Sequence, residues 1–210
     1  MELNTKNAYN QWANTYDSVI NKTRDLEGVA LHNILHEINF ETVLEIGCGT
    51  GKNTEWFAEN AKEVTAVDIS SEMLAKAKEK TASDKINFVQ ANIENDWTFV
   101  NDRFFDLVSF SLVLEHIENL VPVFKKVSAH LNTGGYLYVG ELHPFKQYTG
   151  TKARFETEAG TQIVDCFNHH ISDFIEAANI NGLKLVVFKE YFDGNNSTGL
   201  PRILGLLFQK

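Results

Sequence analysis

Residues Thr42 to Ile46 form a short apolar run that ends in Gly47-Cys48-Gly49-Thr50-Gly51, and helical character follows at once from Lys52 to Asn60. No other feature restricts the fold as much. Glycines at such a strand-to-helix junction allow a sharp turn and a close approach by a ligand, because no Cβ stands in the way. The same alternation continues along the chain. Strands are expected at Glu63–Val67, Ile86–Gln90 and Phe104–Phe110, with a helix at Ser71–Lys80. Helical spacing returns over Leu120–Leu131, and Gly134–Gly135 turn the chain into a strand at Tyr136–Gly140. Strands alternating with helices predict an α/β fold, a doubly wound, mostly parallel sheet with helices on both faces.

The flanks extend this plan. Tyr9, Trp12, Ala13 and Tyr16 fall at i, i+3, i+4 and i+7, one face of a helix, and Leu31, Ile34, Leu35 and Ile38 repeat the pattern. Residues 142–167 show weak periodicity; a helix at Ile171–Ile180 and strands at Leu183–Tyr191 and Ile203–Gln209 follow. The last two strands are joined by a Gly/Asn-rich turn around Asp193–Ser197 with no helix between them, so they should pair antiparallel. The expectation is a seven-stranded sheet with its last strand antiparallel, in one domain: a helical cap (1–40), a core (41–141), an insertion (142–168) and a C-terminal helix with a strand pair (169–210).

Composition narrows the function classes. A formal charge of −9 and the absence of any Lys/Arg cluster leave no basic face for duplex DNA or RNA. Lys76, Lys78 and Lys80 are interleaved with Glu72 and Glu79, as on a solvated helix. No run approaches the roughly 18 to 20 apolar residues of a membrane span, and the first residues do not resemble a secretory signal. Cys48 and Cys166 form neither a disulfide framework nor a Cys-x-x-Cys pair, which suits a reducing cytoplasm. Cys48 has no neighbouring base in the sequence and reads as a small residue at a tight turn rather than a nucleophile.

The helix after the glycine turn offers free N–H groups to a carboxylate or phosphate. Asp68 ends the next strand, 21 residues after Gly47, where an acid can accept from both hydroxyls of a ribose. Taken alone, Asp68 also suits a helix N-cap ahead of Ser70 and Ser71. Ile69 and Met73 would flank an adenine as apolar walls.

The segments VLEIGCGTGKNT, VTAVDISSEMLAKAK, FVQANIEN and FDLVSFSLVLEHI together closely resemble the motif series of class I S-adenosylmethionine-dependent methyltransferases. The resemblance is strongest to the small-molecule group that includes ubiquinone- and biotin-pathway enzymes, and it is dense from Thr42 to Gly140. It implies the seven-stranded fold, S-adenosyl-L-methionine as cofactor and S-adenosyl-L-homocysteine as product. It further implies that Gly47, Gly49 and Gly51 border the methionine portion, with Glu45 shaping the loop's underside, while Asp68 holds the ribose. Asn92 stands where the family often has an Asp facing the adenine amino group; its amide oxygen can still accept, and Ile93 would offer a backbone N–H. Ser109, Phe110 and Leu112 would lie past the fourth strand near the sulfur, and Tyr16 would close over the methionine carboxylate.

Methyl transfer from a sulfonium chiefly needs alignment and, for a hydroxyl acceptor, removal of a proton. His116 is the candidate general base, against the plainer role of a helix-start histidine. Tyr9, His143, Phe145 and His169 are the candidate acceptor-binding residues, and Lys146–Gly160 the candidate cover. His143, His169 and His170 lack the paired acids of a metal site, so no metal is expected. The acceptor is expected to be a small molecule. Two other readings stay open: an NAD-dependent oxidoreductase, which usually carries Gly-x-Gly-x-x-Gly rather than Gly-x-Gly-x-Gly, and a non-catalytic S-adenosylmethionine-binding regulator.

Overall fold

A computed structural model describes residues 4–157, 160–194 and 197–210. Glu158 and Ala159 of the expected cover, Asn195 and Asn196 of the expected turn, and the first three residues lie outside the described residues. The chain opens with helices α1 (Thr5–Trp12) and α2 (Lys22–Leu35). The alternating part follows as β1 (Thr42–Ile46), α3 (Lys52–Asn60), β2 (Glu63–Asp68), α4 (Ser71–Lys80), β3 (Ile86–Gln90), β4 (Phe105–Ser111), α5 (Leu120–His130) and β5 (Leu131–Leu142). Then come a short α6 (Pro144–Tyr148), β6 (Arg154–Thr157), β7 (Gly160–Ile163), α7 (Ile171–Ile180), β8 (Lys184–Tyr191) and β9 (Ile203–Gln209).

Seven strands form one sheet in the order β3-β2-β1-β4-β5-β9-β8. The order reverses at β1, so the loops after β1 and β4 diverge there and leave a crevice at the strands' carboxyl ends. β9 runs antiparallel to both β5 and β8, so the reversed last strand lies inside the sheet rather than at its edge. Both outer sheet faces are covered because neighbouring side chains alternate. Leu44 and Val108 join one buried cluster with Phe124, Val127 and Phe174, while Val43 and Leu107 join another with Leu31, Leu35 and Phe57.

One expectation is corrected, and two segments gain detail. The first helix stops at Trp12, and Tyr16 lies in the following turns; Thr15 donates both its N–H and its hydroxyl to the Trp12 carbonyl, which competes with helix continuation. Within the 1–40 segment, α2 packs into the sheet's core through Leu31 and Leu35. The insertion carries secondary structure. It forms α6 and the antiparallel β6–β7 hairpin, whose Phe155 stacks on Trp12 at 5.2 Å and joins a small cluster with Ala8, Met73 and Val164. That cluster ties the insertion to α1, and both to the start of α4.

Candidate active site

The crevice holds a cavity of about 110 Å³. Its floor starts at the β1–α3 turn. Gly47, Gly49 and Gly51 all have positive φ (73°, 54° and 84°), a region costly for residues with a Cβ. At Gly47 a Cβ would sit 2.1 Å from Val113 Cγ2, so the β1 and β4 loops close on each other there. At Gly49 no atom lies within 4 Å of that direction, which leaves an open cradle facing the cavity. Gly51 instead packs against Ala77 of α4 and caps α3. Glu45 lies under the turn, buried, accepting from Thr54 Oγ1 at 2.5 Å, and burial pushes its carboxyl up to about 8.

Asp68 is held in two directions. Its Oδ2 accepts from Gly49 N and its Oδ1 from Ser70 N, each at 2.8 Å. Burial raises its pKa, against the pull of these backbone N–H groups. The helix N-cap is Ser70, whose Oγ accepts from Met73 N at 3.1 Å; Asp68 is not the cap. Each Asp68 oxygen keeps a second lone pair, and the residue lines the cavity with Ile69 and Met73. Asn92 and Ile93 line the adjoining wall, where Asn92 Oδ1 already accepts from Glu94 N at 2.9 Å.

The β4 side differs from expectation. Strand β4 runs to Ser111, so Ser109 and Phe110 lie within it, buried, and neither lines the cavity. The wall is made by Ser111, Leu112 and Val113. Leu112 adopts φ 57°, rare for a non-glycine residue, and donates its N–H to the Gly140 carbonyl at 2.8 Å. Beyond it, Glu141 Oε1 accepts from Val113 N and Leu114 N, fixing the start of a 3-10 turn, Leu114–His116. Burial, with Glu115 nearby, pushes Glu141 up to about 8.

His116 projects from this turn into the cavity. Its Nδ1 lies 2.7 Å from the Asp165 carbonyl and its Nε2 2.8 Å from the Tyr9 hydroxyl. Tyr9 and Tyr16 line the roof, and burial raises the pKa of both, Tyr16 to about 12. The roof is latched to the floor by Asn10, which accepts from Ser70 Oγ at 2.7 Å, and Asp17, which accepts from Thr50 Oγ1 at 2.8 Å and pairs with Lys80.

Three candidate acceptor residues lie elsewhere. His143 is fully buried: its Nε2–H points to Glu190 at 2.9 Å while Nδ1 accepts from Phe145 N and caps α6. Phe145 is exposed on α6, outside the cavity lining. His169 donates from Nε2 to the carbonyls of Leu114 and Ile117, at 3.2 and 2.8 Å, and so clamps the turn that carries His116. Among the described residues one group, Glu115, His116 and Cys166, brings metal-ligand atoms within 4.8 Å of one another, although both His116 nitrogens already face partners. Burial holds the Cys166 thiol at about 12 and raises Cys48 as well, which leaves both as inert thiols at neutral pH. The sequence singled out none of Thr5, Glu94, Ser111, Val113 and Ile117, all of which line the cavity.

A seven-stranded sheet of this order, with its reversed strand next to the edge, is the Rossmann-like fold shared with solved S-adenosylmethionine-dependent methyltransferases. Residues 44–139 match the family model described as a methyltransferase domain. It is 28% identical over 140 residues to a malonyl-[acyl-carrier protein] O-methyltransferase of Priestia megaterium, covering 63% of this chain and 48% of the relative. It is 25% identical over 166 residues to the mitochondrial ubiquinone biosynthesis O-methyltransferase of Dictyostelium discoideum, covering 73% and 49%. The chain thus spans about half the length of these curated relatives. Its fold is that of a solved structure described as a DhpI-SAM-HEP complex, with a TM-score of 0.76, 23% identity and coverage of 96% and 94%.

Proposed function

We propose that the protein is an S-adenosylmethionine-dependent methyltransferase that acts on a small-molecule acceptor in the cytoplasm, with no nucleic-acid or membrane partner. The observation that carries this reading is the pairing of the open Gly49 cradle with the Asp68 carboxylate on one cavity floor. A side chain at 49 would fill the space that the methionine portion needs. The spare lone pairs of Asp68 suit the ribose hydroxyls, and Ile69 and Met73 suit the adenine. In this reading Gly47 and Gly51 shape the turn, Tyr16 closes over the methionine carboxylate, and Asn92 and Ile93 meet the ring edge. When bound, the cofactor supplies an electrophilic methyl group on a sulfonium.

None of the described lining residues is Lys or Arg, whereas Asp68 and Glu94 are acids. A carboxylate or phosphate acceptor would meet no cation there, so the acceptor is taken as an uncharged hydroxyl or amine compound. In this reading the proton lost by the acceptor ends on His116. No helix is long and apolar enough to cross a membrane among the described residues. The reducing-compartment assignment rests on the two free cysteines.

Calorimetry with S-adenosylmethionine, S-adenosylhomocysteine and NADH tests the reading. The first two should bind wild-type protein and lose about 30- to 100-fold in affinity in Asp68→Ala, the cost of a charged hydrogen-bonding group removed from a buried site. Binding of NADH alone would overturn it in favour of an oxidoreductase.

A further inference from the structure

The Tyr9 hydroxyl and the His116 imidazole come from positions 107 residues apart and meet at 2.8 Å on the cavity wall, while the Asp165 carbonyl meets the other ring nitrogen at 2.7 Å. A carbonyl oxygen only accepts, so the neutral ring carries its proton on Nδ1 and presents a lone pair at Nε2. The Tyr9 hydroxyl therefore donates to Nε2. One direction of proton flow is built in, from the cavity through Tyr9 to His116. Glu115 Oε1 lies 3.9 Å from Nε2, placing a carboxyl beside the ring where an imidazolium would form. His169 clamps the turn that carries the ring, and the Tyr9 ring is held by Trp12 at 5.7 Å and by the His116 edge at 5.4 Å. Direct access of an acceptor to Nε2 is blocked, because Tyr9 already occupies that lone pair.

We propose that Tyr9 and His116 act as one proton-accepting unit in which the Tyr9 hydroxyl, and not the imidazole, faces the acceptor's hydroxyl or neutral amine. The proposal rests on the methyltransferase reading above and deepens it. The acceptor's O–H or N–H proton passes to the Tyr9 oxygen as the Tyr9 proton passes to His116 Nε2, so no free tyrosinate forms. The acceptor's lone pair makes the new bond to carbon, and the electron pair of the broken carbon–sulfur bond stays on sulfur as a neutral thioether. The positive charge lost from sulfur reappears as the His116 imidazolium beside Glu115. Burial and the nearby acids, which raise the Tyr9 pKa, favour this concerted passage over a standing tyrosinate.

Two measurements decide it. Long-range nitrogen–proton NMR on the unliganded protein should show neutral His116 protonated on Nδ1; a ring protonated on Nε2 overturns the proposal without reference to turnover. Release of S-adenosylhomocysteine is then followed with catechol, 4-methylphenol and benzylamine as acceptors. With an acceptor that wild type turns over, Tyr9→Phe and His116→Gln should each lose about 10²- to 10⁴-fold in kcat, with cofactor affinity changed less than about threefold. The double variant should lose little more than either single, because the two residues act as a unit. Independent, multiplying losses overturn the proposal, as does a Tyr9→Phe variant within threefold of wild type. Failure of every probe with a protein that binds the cofactor overturns the acceptor class. Failure of wild type to bind the cofactor instead sinks the reading beneath it.

Discussion

On the floor of the cavity, Gly47, Gly49 and Asp68 sit at the ends of adjacent parallel strands, within 21 residues of one another. Its roof joins Tyr9 and Tyr16 near the N-terminus to an insertion more than 130 residues later, through the Trp12–Phe155 stack and the Asp165 carbonyl. The floor is held by backbone: Gly47 and Cys48 donate to the Val67 carbonyl at 2.7 and 3.0 Å, and Gly49 donates to Asp68. The roof is held by side chains, namely aromatic stacking and a few polar latches. A floor built of backbone tolerates little substitution, whereas a roof built of side chains can change its contacts one at a time. The two halves thus suit an invariant ligand below and a variable one above.

The largest effect should come from breaking the floor. Gly47→Ala drives a Cβ into Val113 at 2.1 Å and also forces alanine to a φ of 73°. We expect cofactor affinity to fall by at least about 100-fold and stability by about 2–4 kcal/mol, as for other clashes at a constrained backbone position. Adding Val113→Ala should restore much of that stability and leave the φ strain of about 1 kcal/mol. Gly49→Ala sharpens the contrast. Its Cβ meets nothing in the fold, so calorimetry should show cofactor binding lost while the unfolding midpoint moves by only a few degrees. Equal destabilisation by both alanines would deny that Gly49 marks a ligand cradle.

The same division explains what was legible in the sequence. The floor was, because its signals are local: a strand end, glycines at fixed offsets, and an acid one strand later. The seven-strand plan with its antiparallel last strand was legible for the same reason, from alternating apolar runs and turns. Ser109 and Phe110 failed by a small slip. The strand continues to Ser111, and moving along it by one or two residues transfers the site from buried side chains to the loop beyond. The roof was only half legible. Tyr9 and Tyr16 were found through helical spacing even though the helix ends at Trp12, because the turns that follow keep Tyr16 close, 4.9 Å from Trp12. The β6–β7 hairpin gave no periodic signal, since each strand has four residues and a single buried anchor, Phe155. His143 and His169 misled because their partners, Glu190 and the carbonyls of Leu114 and Ile117, lie 47 to 55 residues away and two of the three are backbone atoms.

A smaller effect is expected where floor and roof adjoin. Glu141 holds the loop that leads from Leu112 to His116, and both Glu141 and Glu45 have folded-state pKa values of about 8, raised by burial. An unfolded chain releases those protons near pH 4.5. Between these values the native state binds more protons than the unfolded state, so the stability from this source is full below about pH 4.5 and is lost as pH rises through 8. The unfolding midpoint should fall from pH 5 to 8.5, and Glu141→Gln should flatten that fall because a neutral amide has no proton to lose. A steeper fall in the variant would mean that Glu141 is ionised in the native protein and that its two backbone donors outweigh burial.

The smallest effect should fall on α6. Phe145 is 43% exposed, and its ring lies beside those of His143 and Tyr148, at separations of 4.8 and 6.2 Å. Replacing it by alanine removes little buried area, so the unfolding midpoint should shift by less than about 2 °C and cofactor affinity by less than twofold. Trp12→Ala is the matched test on the roof, because it removes a buried ring stacked on Phe155 and frees α1 from the insertion. That variant should weaken both the acceptor's KM and the protection of α1 in hydrogen exchange, while the floor's amides stay protected. If Phe145→Ala instead raised KM as much as Trp12→Ala, the roof would extend over α6. The acceptor would then reach past the residues that line the cavity, and its size would have to be judged from both surfaces.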